Sequence, residues 1–572
     1  MSRAVSPTHL DWNFQVSDKG DPEGIITRSN VFTSFARNEV LGLSGSPLST
    51  GSNTSAIQNA LNLAGLVAIQ APSPLVIYVN SLVIPSKTKF VLGPGITLFR
   101  AAQTNAPLLK TKYAGYLDKE SRFTRTSNIA TVLDEGHTLA VGDQVYVRNL
   151  TDTTFNGLQT VASVSAGVWT YANAGSNYNS GSATKYGFII PVRRTLTLAS
   201  FTNNTIYSGQ AATGYVNVTD ALTDLRVGFH VFVASVGLVE VIRTDAVSWS
   251  YLGAVPTDAN VALSYDYDIT IEGGTLQGNR VNQTSVNGCF ETSVSLFGCA
   301  NNVTIDGTRI LGSNLRAINA YNVQDFTAID VTVDDCLVGM QFEGGGRRIS
   351  LIRPRGKSSE EGSGAALLTG TQVMDDFLAF TGVLKNTAGY PNGASPYDLI
   401  NFDDVKVRDG YTANSLTGIK ITADASITYD NFDVDGLTGG SLDPVPSASS
   451  FGVRVMDDTA SLTGTYVKKL VCKNIDWTAK AGAGSTCFNF NTTGTVEDWT
   501  LRNCGYQNLW SGSLSPILIN STGTIKRLLV DGVKWTDNAT ATNGKQFISQ
   551  TAASTIENLI VANFDITFQS SA

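Results

Sequence analysis

Short strand-like runs recur along the second half of the chain, from about residue 265 onwards. Four of them align closely and begin at Val467, Val496, Ile525 and Ile556, so successive copies start 29, 29 and 31 residues apart. In each copy the fourth and sixth positions are apolar, which places both side chains on the same side of a strand. The pattern predicts a repeated strand that turns one face toward a core.

The eighth position of most copies is Gly or Asn. These residues adopt positive φ at low cost, so each strand is predicted to end in a sharp bend. A second apolar strand precedes several copies. Looser copies of the pattern lie at 268–273, 302–307, 323–328, 374–379, 397–402 and 429–436. Short strands separated by left-handed bends predict the coils of a parallel β-helix. A helical solenoid would need a 3.6-residue period, which is absent, and a propeller lacks the Gly/Asn step.

The first half begins with a predicted short amphipathic helix at 54–64. Strand-like runs follow at 75–79, 82–85 and 89–98. The order T-S-A-I-Q-N-A-L, then L-V-I-Y-V, then L-G-P-G-I-T-L resembles the start of pectate-lyase-like β-helices, which bacteriophage tailspikes carry very often. The resemblance covers residues 54–98 and about 265–572. It implies an all-β protein, a right-handed single-stranded parallel β-helix whose N-terminal end is capped by the helix.

Residues 103–262 interrupt the coil pattern and contain a duplication of their own. The two copies share three matched segments, namely 141–147 with 227–233, 157–158 with 237–238, and 169–171 with 249–251. Their rhythm resembles small β-barrel modules of phage tail proteins, so an inserted pair of such modules is predicted. Trp169 and Trp249 are expected either in the module cores or as aromatic platforms that bind a sugar.

The chain is therefore predicted to have four regions. They are an N-terminal virion-attachment segment at 1–50, the cap helix and first coils at 51–102, the inserted modules at 103–262, and the main β-helix at 263–572. The attachment segment is inferred from its position in a tailspike-like chain. The last strand-like run has no capping helix after it, and an uncovered coil would expose strand edges and core. A partner is expected to cover it, which in a tailspike implies a homotrimer.

Composition narrows the function classes. Charged residues make up 15% of the chain, hydrophobic residues 42%, and the net charge is −8. The ordinary apolar content argues against disorder, and the lack of a basic surplus argues against nucleic-acid binding. The most apolar window, residues 60–79, contains two prolines, so membrane insertion is not predicted. The first residues lack the apolar core of a secretory signal peptide.

Histidine and cysteine usage limits the chemistry. Only three histidines occur, His9, His137 and His230, all in the first half. A site on the main β-helix would therefore rely on carboxylates, Tyr, Lys and Arg, unless the inserted modules fold back over it. The six cysteines show no C-x-x-C spacing, so buried thiols are expected rather than a zinc site. No metal or other cofactor is predicted.

Charged residues concentrate between residues 316 and 376, which stands out in a charge-poor chain. A glycosidase needs two carboxyl groups about 5–9.5 Å apart. Adjacent coils lie about 4.8 Å apart, so carboxylates on neighbouring coils satisfy this requirement. Glu343, at the end of an apolar strand, is the leading catalytic candidate. Its candidate partners are Asp334, Asp335, Asp375 and Asp376.

A polysaccharide lyase would use different groups, with Tyr, Lys or Arg as the base and Arg to neutralise a uronate. Tyr321, Arg347 and Arg348 then become substrate-binding candidates. The alternative for each of these residues is a solvated coil surface or a salt bridge between coils. The N-T-D, D-D, G-H-G and R-I-K series of polygalacturonases is not found, since Asp334 and Asp335 match only its middle dipeptide.

The leading hypothesis is a phage tailspike that binds a bacterial surface polysaccharide, a capsule or O-antigen, and depolymerises it. Hydrolysis is favoured over β-elimination. The N-terminus would attach to phage tail or baseplate proteins, and the protein would reach the virion after synthesis in the host cytoplasm. One alternative is a non-enzymatic structural or receptor-binding tail protein on the same scaffold. Another is a free bacterial polysaccharide lyase or hydrolase.

Overall fold

The structure is a computed structural model of the 572-residue chain. It describes residues 43–568 apart from the following gaps: 44, 47–49, 72, 103–105, 135–136, 166, 180–185, 208–209, 284–292, 358–373, 383–396, 398–400, 414, 424–426, 442–448, 458–463, 480–484, 510–514, 521, 538–545 and 551–553. The predicted virion-attachment segment therefore lies almost entirely outside the described residues. No described helix is long and apolar enough to cross a membrane.

The first described elements are one α-helix and the first two coils of a solenoid. These elements are α1 (Thr50–Leu61), β1 (Gly65–Ile69), β2 (Leu75–Val79), β3 (Leu82–Ile84), β4 (Thr88–Arg100) and β5 (Leu109–Thr111). An antiparallel region follows. Its strands are β6 (Tyr116–Lys119), β7 (Phe123–Thr126), β8 (Ile129–Leu133), β9 (Gln144–Arg148), β10 (Gly157–Ser165), β11 (Val168–Ala172), β12 (Tyr178–Asn179), β13 (Tyr186–Pro191), β14 (Arg194–Thr197), β15 (Phe201–Tyr207), β16 (Gln210–Thr219), β17 (His230–Val233), β18 (Gly237–Glu240), β19 (Arg243–Thr244), β20 (Ser248–Leu252) and β21 (Asn260–Ser264).

The remaining strands continue the solenoid. They are β22 (Asp266–Gln277), β23 (Ser295–Gly298), β24 (Ala300–Asp306), β25 (Arg309–Ile329), β26 (Thr332–Ile352), β27 (Arg355–Lys357), β28 (Met374–Gly382), β29 (Phe402–Ala413), β30 (Ser415–Ala423), β31 (Thr428–Tyr429), β32 (Phe432–Ser441), β33 (Phe451–Met456), β34 (Tyr466–Ala479), β35 (Thr486–Asn491), β36 (Thr495–Arg502), β37 (Gly505–Asn508), β38 (Ile517–Ile519), β39 (Thr524–Asp531), β40 (Lys534–Asp537), β41 (Ile548–Gln550), β42 (Thr555–Ile556), β43 (Leu559–Ala562) and β44 (Asp565–Phe568).

Each coil of the solenoid contributes a strand to three parallel sheets. The first sheet runs through β1, β24, β36, β39 and β43, and the second through β2, β27, β37, β40 and β44. The third sheet runs through β3, β5, β23, β28, β30, β33, β35, β38 and β41. Long strands such as β25 and β26 bend and serve all three sheets. This arrangement confirms the predicted parallel β-helix.

The register of the first sheet confirms the alignment of the four closest repeats. Val467 pairs with Val496, which pairs with Ile525, which pairs with Ile556. The fourth and sixth positions pair in the same order and are buried in all coils that have another coil after them. The apolar alternation therefore faces the solenoid core, where one contiguous hydrophobic cluster runs from the first coil to the last.

Left-handed backbone follows the strands of the first sheet from β22 onwards, as the eighth position predicted. Gly532 has φ 70°, and Asn474, Asn503 and Asn563 have φ between 50° and 53°. Asparagine tolerates this region because its short side chain can bond locally. Three middle coils place Asp330, Arg353 and Asp409 at this step.

Two of the looser repeat copies are wrong. The segment 374–379 belongs to β28, which pairs with 338–343 in the third sheet. Among the described residues of the segment 397–402, only Phe402 belongs to the first sheet, where the true copy starts at that residue and pairs with Tyr429. The error at 374–379 arises because strands of the third sheet carry the same apolar alternation as those of the first.

The antiparallel region lies between two consecutive coils. β4 pairs in parallel with β22, and β5 with β23, although β6–β21 separate them in the sequence. One eight-stranded and two four-stranded sheets make up this inserted unit. The hydrophobic core of the inserted unit extends onto the outer surface of the solenoid, because Leu296, Cys299 and Tyr321 belong to the same hydrophobic cluster as the inserted strands.

The duplication within the inserted unit extends to backbone detail. Gly142 and Gly228 have φ of 92° and 90°, and Gly157 and Gly237 have φ of 104° and 111°. Each copy also stacks its tryptophan near the tyrosine two residues later, with ring centroids 5.5 and 5.6 Å apart. The two copies therefore place their matched residues at equivalent points of two related sheets.

Polar contacts fix the inserted unit on the solenoid. Asp224 receives hydrogen bonds from Tyr265 at 2.6 Å and from Tyr267, and it pairs with Arg193 at 2.6 Å. Burial acts to raise the pKa of Asp224, but these hydrogen bonds and the arginine charge lower it to about 2. The carboxylate is therefore held ionised at the junction of the two units.

Candidate functional site

The outward face of the third sheet carries a column of side chains that crosses ten strand pairings. The column consists of Val83, Lys110, Leu296, Asn319, Gln341, Ala379, Lys420, Arg454, Asn489, Leu518 and Ser549. Because parallel coils repeat in register, these residues stand one above another along the solenoid. Two groups of ionisable residues lie beside this column, and they differ in their exposure.

The first group is the sealed cluster, which we define as Arg316, Tyr321, Gln341 and Glu343. The Glu343 carboxylate accepts hydrogen bonds from Gln341 Nε2 at 2.6 Å and from Arg316 Nη2 at 3.1 Å. Arg316 also bonds the Gln341 amide oxygen. Burial raises the pKa of Glu343, and the arginine charge and a hydrogen bond from Tyr321 oppose that rise. The cluster is a buried polar network whose side chains bond one another.

Glu343 therefore has to be withdrawn as the leading catalytic carboxylate. Its side chain has 0% exposed surface, and a carboxyl group that no sugar can reach neither donates a proton to one nor attacks it. Tyr321, predicted to bind substrate, is equally buried and belongs to the hydrophobic cluster of the inserted unit. The sequence could not show this because the residues of the inserted unit in that cluster, such as Phe232, are far away in the chain.

The second group is the open cluster, which we define as Asp375, Asp376, Lys420 and Arg454. Asp375 and Asp376 begin strand β28, and Asp376 Oδ2 lies 3.1 Å from Lys420 Nζ on the neighbouring strand. The Lys420 side chain is 30% exposed and that of Asp376 12%. Asp375 is half-buried. The structure therefore brings two of the predicted catalytic carboxylates together with a lysine at the surface of the solenoid.

The two aspartates of the open cluster have different surroundings. Burial of Asp375, together with the negative charge of Asp376, raises the pKa of Asp375 to about 6, while Lys420 opposes the shift. Asp376 has the Lys420 ammonium as its ion-pair partner. A neighbouring pair in which one carboxyl group holds its proton near neutral pH and the other is paired with a cation is the arrangement that separates an acid from a base.

Arg454 extends the open cluster by one coil. It is directly opposite Lys420 in the strand register, and its guanidinium lies 4.5 Å from the ring centre of Phe451. Its Nε donates to Asn489 Oδ1 at 3.2 Å. The ring and the amide hold the guanidinium in one orientation. Burial lowers the pKa of Arg454, and the charge of Asp376 opposes that shift.

Asp334 and Asp335 lie elsewhere. Asp334 ends the part of β26 that belongs to the second sheet, and it pairs with Arg309 at 3.0 Å. Asp335 occupies a left-handed bend with φ 52° and pairs with the nearly buried Arg280 at 3.1 Å. Both carboxylates thus contact arginines of their own.

Arg347 and Arg348 lie on the first sheet and make inter-element ion pairs. Arg347 pairs with Glu240 of the inserted unit at 2.5 Å and with Asp403 of the next coil at 3.5 Å. Arg348, at φ 52°, forms two hydrogen bonds with Asp325 of the preceding coil. These contacts match the alternative expected for them, a salt bridge between coils.

The prediction that the two tryptophans are sugar-binding platforms is wrong. Trp169 and Trp249 have no exposed surface and pack in the cores of the inserted sheets, so neither ring offers a face to a ligand. His230 does face the solenoid, where its backbone N–H bonds Asn301 Oδ1 at 2.7 Å. Burial lowers the pKa of its imidazole to about 3, so it packs as a neutral ring. The five described cysteines are buried free thiols, as expected.

Lys420 and Arg454 are the functional candidates that sequence reasoning missed. Neither stands near Asp376 in the sequence, and only the pairing of β28 with β30 and of β30 with β33 brings them together. The available signal was the recurrence of a basic residue inside an apolar strand, in I-K-I at 419–421 and V-R-V at 453–455.

No model of a known protein family matches the chain, and no curated protein matches it. Among solved structures, the surface adhesin PfbA of Streptococcus pneumoniae is similar with 10% identity, 92% of both chains covered and a TM-score of 0.41. A family 28 exopolygalacturonase of Yersinia enterocolitica shares 8% identity over 90% of this chain and 75% of its own, with a TM-score of 0.40. The tailspike of Pseudomonas phage LKA1 shares 10% identity over 92% and 76%, with a TM-score of 0.24. These similarities concern the overall fold, and no residue role is transferred from them.

Proposed function

We propose that this protein is a tailspike-like β-helix that binds a bacterial surface polysaccharide and hydrolyses it at the open cluster. The observation that carries the proposal is the Asp375–Asp376 pair, in which one carboxyl group has a raised pKa and its neighbour pairs with Lys420. The remaining predicted carboxylates are buried or paired with arginines away from this place.

In this mechanism Asp375 is the general acid that protonates the leaving glycosidic oxygen, and Asp376 is the base or nucleophile on the other side of the bond. Consecutive Cα atoms are about 3.8 Å apart, and side chains that diverge from them can place carboxyl groups within the roughly 5–9.5 Å that glycoside hydrolysis requires. Lys420 forms an ion pair with Asp376, and Arg454 donates hydrogen bonds to sugar oxygens on the neighbouring coil.

The assembly is part of the same proposal. The apolar side chains of Leu559, Ile560, Val561 and Phe564 are exposed on and beside β43, whereas their counterparts Leu528 and Val530 are buried beneath that coil. Exposed apolar patches of this kind mark contact surfaces. We propose that a homotrimer covers them and that residues 1–50 attach the trimer to phage tail or baseplate proteins in the virion. Sedimentation analysis should give three times the chain mass, and a monomer at micromolar concentration would contradict this part.

The function is tested by incubating the protein with capsules and lipopolysaccharides from candidate bacterial hosts. Hydrolysis should release new reducing ends without ultraviolet absorbance of unsaturated uronates, whereas such absorbance would indicate a lyase. The matched control is Asp498→Asn, which removes a carboxylate that pairs with Arg527 on the first sheet, away from the open cluster. Binding to a host polysaccharide without any product would refute the enzymatic part.

A non-enzymatic adhesive role is the second candidate, and one observation favours it. Asp376 and Lys420 form an ion pair across neighbouring strands, of the same kind as the pair of Asp498 with Arg527. In that case Asp376→Asn would alter polysaccharide binding no more than Asp498→Asn does, and no product would form with either protein.

A further inference from the structure

A cleft separates the cap helix from the inserted unit at the N-terminal end of the third sheet. It measures about 860 Å³, and a smaller hollow of about 400 Å³ adjoins it, with Pro85, Lys112, Tyr113 and Arg193 common to both. Cavities of roughly 300–1,000 Å³ are the usual size for small-ligand sites. The cleft therefore has room for several sugar rings.

One wall of the cleft is the polar face of α1. Its lining side chains are Thr54, Ser55, Gln58, Asn59 and Asn62. The helix cannot move freely, because the Gln58 amide bonds both the N–H and the carbonyl of Val83, at 2.8 and 3.0 Å. Hydroxyl and amide groups on a fixed wall are suited to hydrogen-bond the hydroxyl groups of a saccharide.

The charged residues that line the cleft are Lys110, Lys112, Arg193 and Asp143, so the lining has a surplus of positive charge in a chain whose net charge is −8. Lys112 is exposed, its Nζ lies 5.5 Å from the Tyr113 ring centre, and it forms no ion pair with any described residue. Arg193 lies over the same ring at 5.3 Å. The nearby Asp224 carboxylate is occupied by Arg193, Arg194 and two tyrosines. Lys112 thus contributes a cation that the described protein does not neutralise.

Tyr113 is held in place from several sides. Its backbone N–H donates to Asp266 Oδ2 at 2.7 Å, and its carbonyl accepts from Tyr397 at 2.6 Å. The ring and the cations around it are therefore preorganised rather than assembled by a ligand, which lowers the entropy cost of binding.

We propose that this cleft binds an acidic saccharide, with a sugar carboxylate at Lys112 and the sugar hydroxyl groups on the polar face of α1. The choice of a saccharide rests on the proposed function, whereas the need for an anionic group rests on Lys112 alone. The cleft is separate from the open cluster: five strand steps join Lys110 to Lys420 along the outward column, about 24 Å. The residues between them are buried. The site would hold the polymer without taking part in its cleavage.

The test measures binding of tetragalacturonate to the full chain by calorimetry, with the neutral maltotetraose as the uncharged probe. Wild type should bind the acidic probe at least tenfold more tightly. Lys112→Glu should weaken that binding tenfold or more, whereas Lys534→Glu, at an exposed lysine on the second sheet, should leave it unchanged. Equal melting temperatures would verify that both variants fold.

The outcomes separate this site from the proposed function. Asp375→Asn should abolish product formation and leave tetragalacturonate binding at the cleft unchanged. Lys112→Glu should weaken tetragalacturonate binding and leave product formation from short substrates unchanged. Equal binding of both probes, or wild-type affinity in Lys112→Glu, would overturn the proposal. Displacement of tetragalacturonate by inorganic phosphate at equal concentration would also overturn it, because the cleft would then be a general anion site.

Discussion

The sealed and open clusters contain similar groups on the same face of the same sheet, yet only one of them can meet a substrate. Glu343 and Asp376 each pair with a cation at 3.1 Å, and the strands that carry them are neighbours. The difference lies in what covers them. Tyr321, beside Glu343 in the register, packs into the hydrophobic cluster of the inserted unit, whereas Lys420 beside Asp376 remains partly exposed.

The comparison shows that an outward position on a β-helix is necessary for a catalytic residue but not sufficient. In the sealed cluster the Glu343 carboxylate receives its hydrogen bonds from Gln341, Arg316 and Tyr321 inside the protein. The ion pair of the open cluster is partly exposed through Lys420 and so keeps access to water. Loss of a group should therefore reduce stability in the first cluster and activity in the second.

The largest effect is expected from Asp375→Asn, which removes the proposed general acid. General acid–base catalysis contributes about 10²–10⁴-fold to a rate, so hydrolysis of the host polysaccharide should slow by about that factor. The melting temperature should stay close to that of wild type, since the amide has the same size and the side chain is half-buried. Reducing-end release measured beside Asp498→Asn provides the comparison. Full activity in Asp375→Asn would exclude the open cluster as the catalytic site.

Sequence reasoning reached the solenoid because its evidence is local and repeated. The apolar fourth and sixth positions and the Gly or Asn at the eighth recur in most coils, and the register follows the repeat from Val467 to Ala562. The same logic failed at 374–379, where a third-sheet strand imitates a first-sheet strand. Alternation reveals that a strand has a buried face and does not reveal which of three sheets it joins.

The candidate site was less accessible to such reasoning. Asp375 and Asp376 could be named because they lie in the stretch 316–376, where charged residues concentrate in this charge-poor chain. Their partner Lys420 could not, because the pairing depends on the register between β28 and β30. Glu343 was ranked first because it ends an apolar strand within the charged stretch 316–376. Its burial depends on the inserted unit and on Tyr397, which no periodicity connects with it.

The second prediction concerns the stability of the sealed cluster. Glu343→Ala leaves the Arg316 guanidinium, only 11% exposed, without its carboxylate. Breaking a buried pair from one side costs about 3–5 kcal/mol, so the free energy of unfolding should fall by about that amount. Glu343→Leu is the companion variant, since it fills the space while leaving the same charge unpaired. Urea denaturation measures both. If either variant keeps wild-type stability but loses activity, Glu343 returns as the catalytic residue.

The third prediction is a pH dependence that belongs to the open cluster alone. The pKa of Asp375 is about 6 in the folded protein, and the general acid must be protonated, so kcat/KM should fall by about tenfold per pH unit above pH 6. Lys420 acts to lower this pKa. Lys420→Met should therefore move the falling limb to higher pH. A limb that stays in place in Lys420→Met would show that another group controls it.

The smallest effect is expected at the bends, which support both clusters equally. Asn503 has φ 53°, and a left-handed residue without a locally bonding side chain costs about 1–2 kcal/mol. Asn503→Ala should therefore lower the free energy of unfolding by about 1 kcal/mol, with activity per folded molecule unchanged. Gly532→Ala on the next coil should cost more, because its new Cβ would lie 2.6 Å from Asn503 Oδ1 in addition to the φ of 70°. Denaturation midpoints rank the two variants against wild type. An Asn503→Ala protein that lost activity at unchanged stability would mean that the bends position the open cluster and do not only connect the coils.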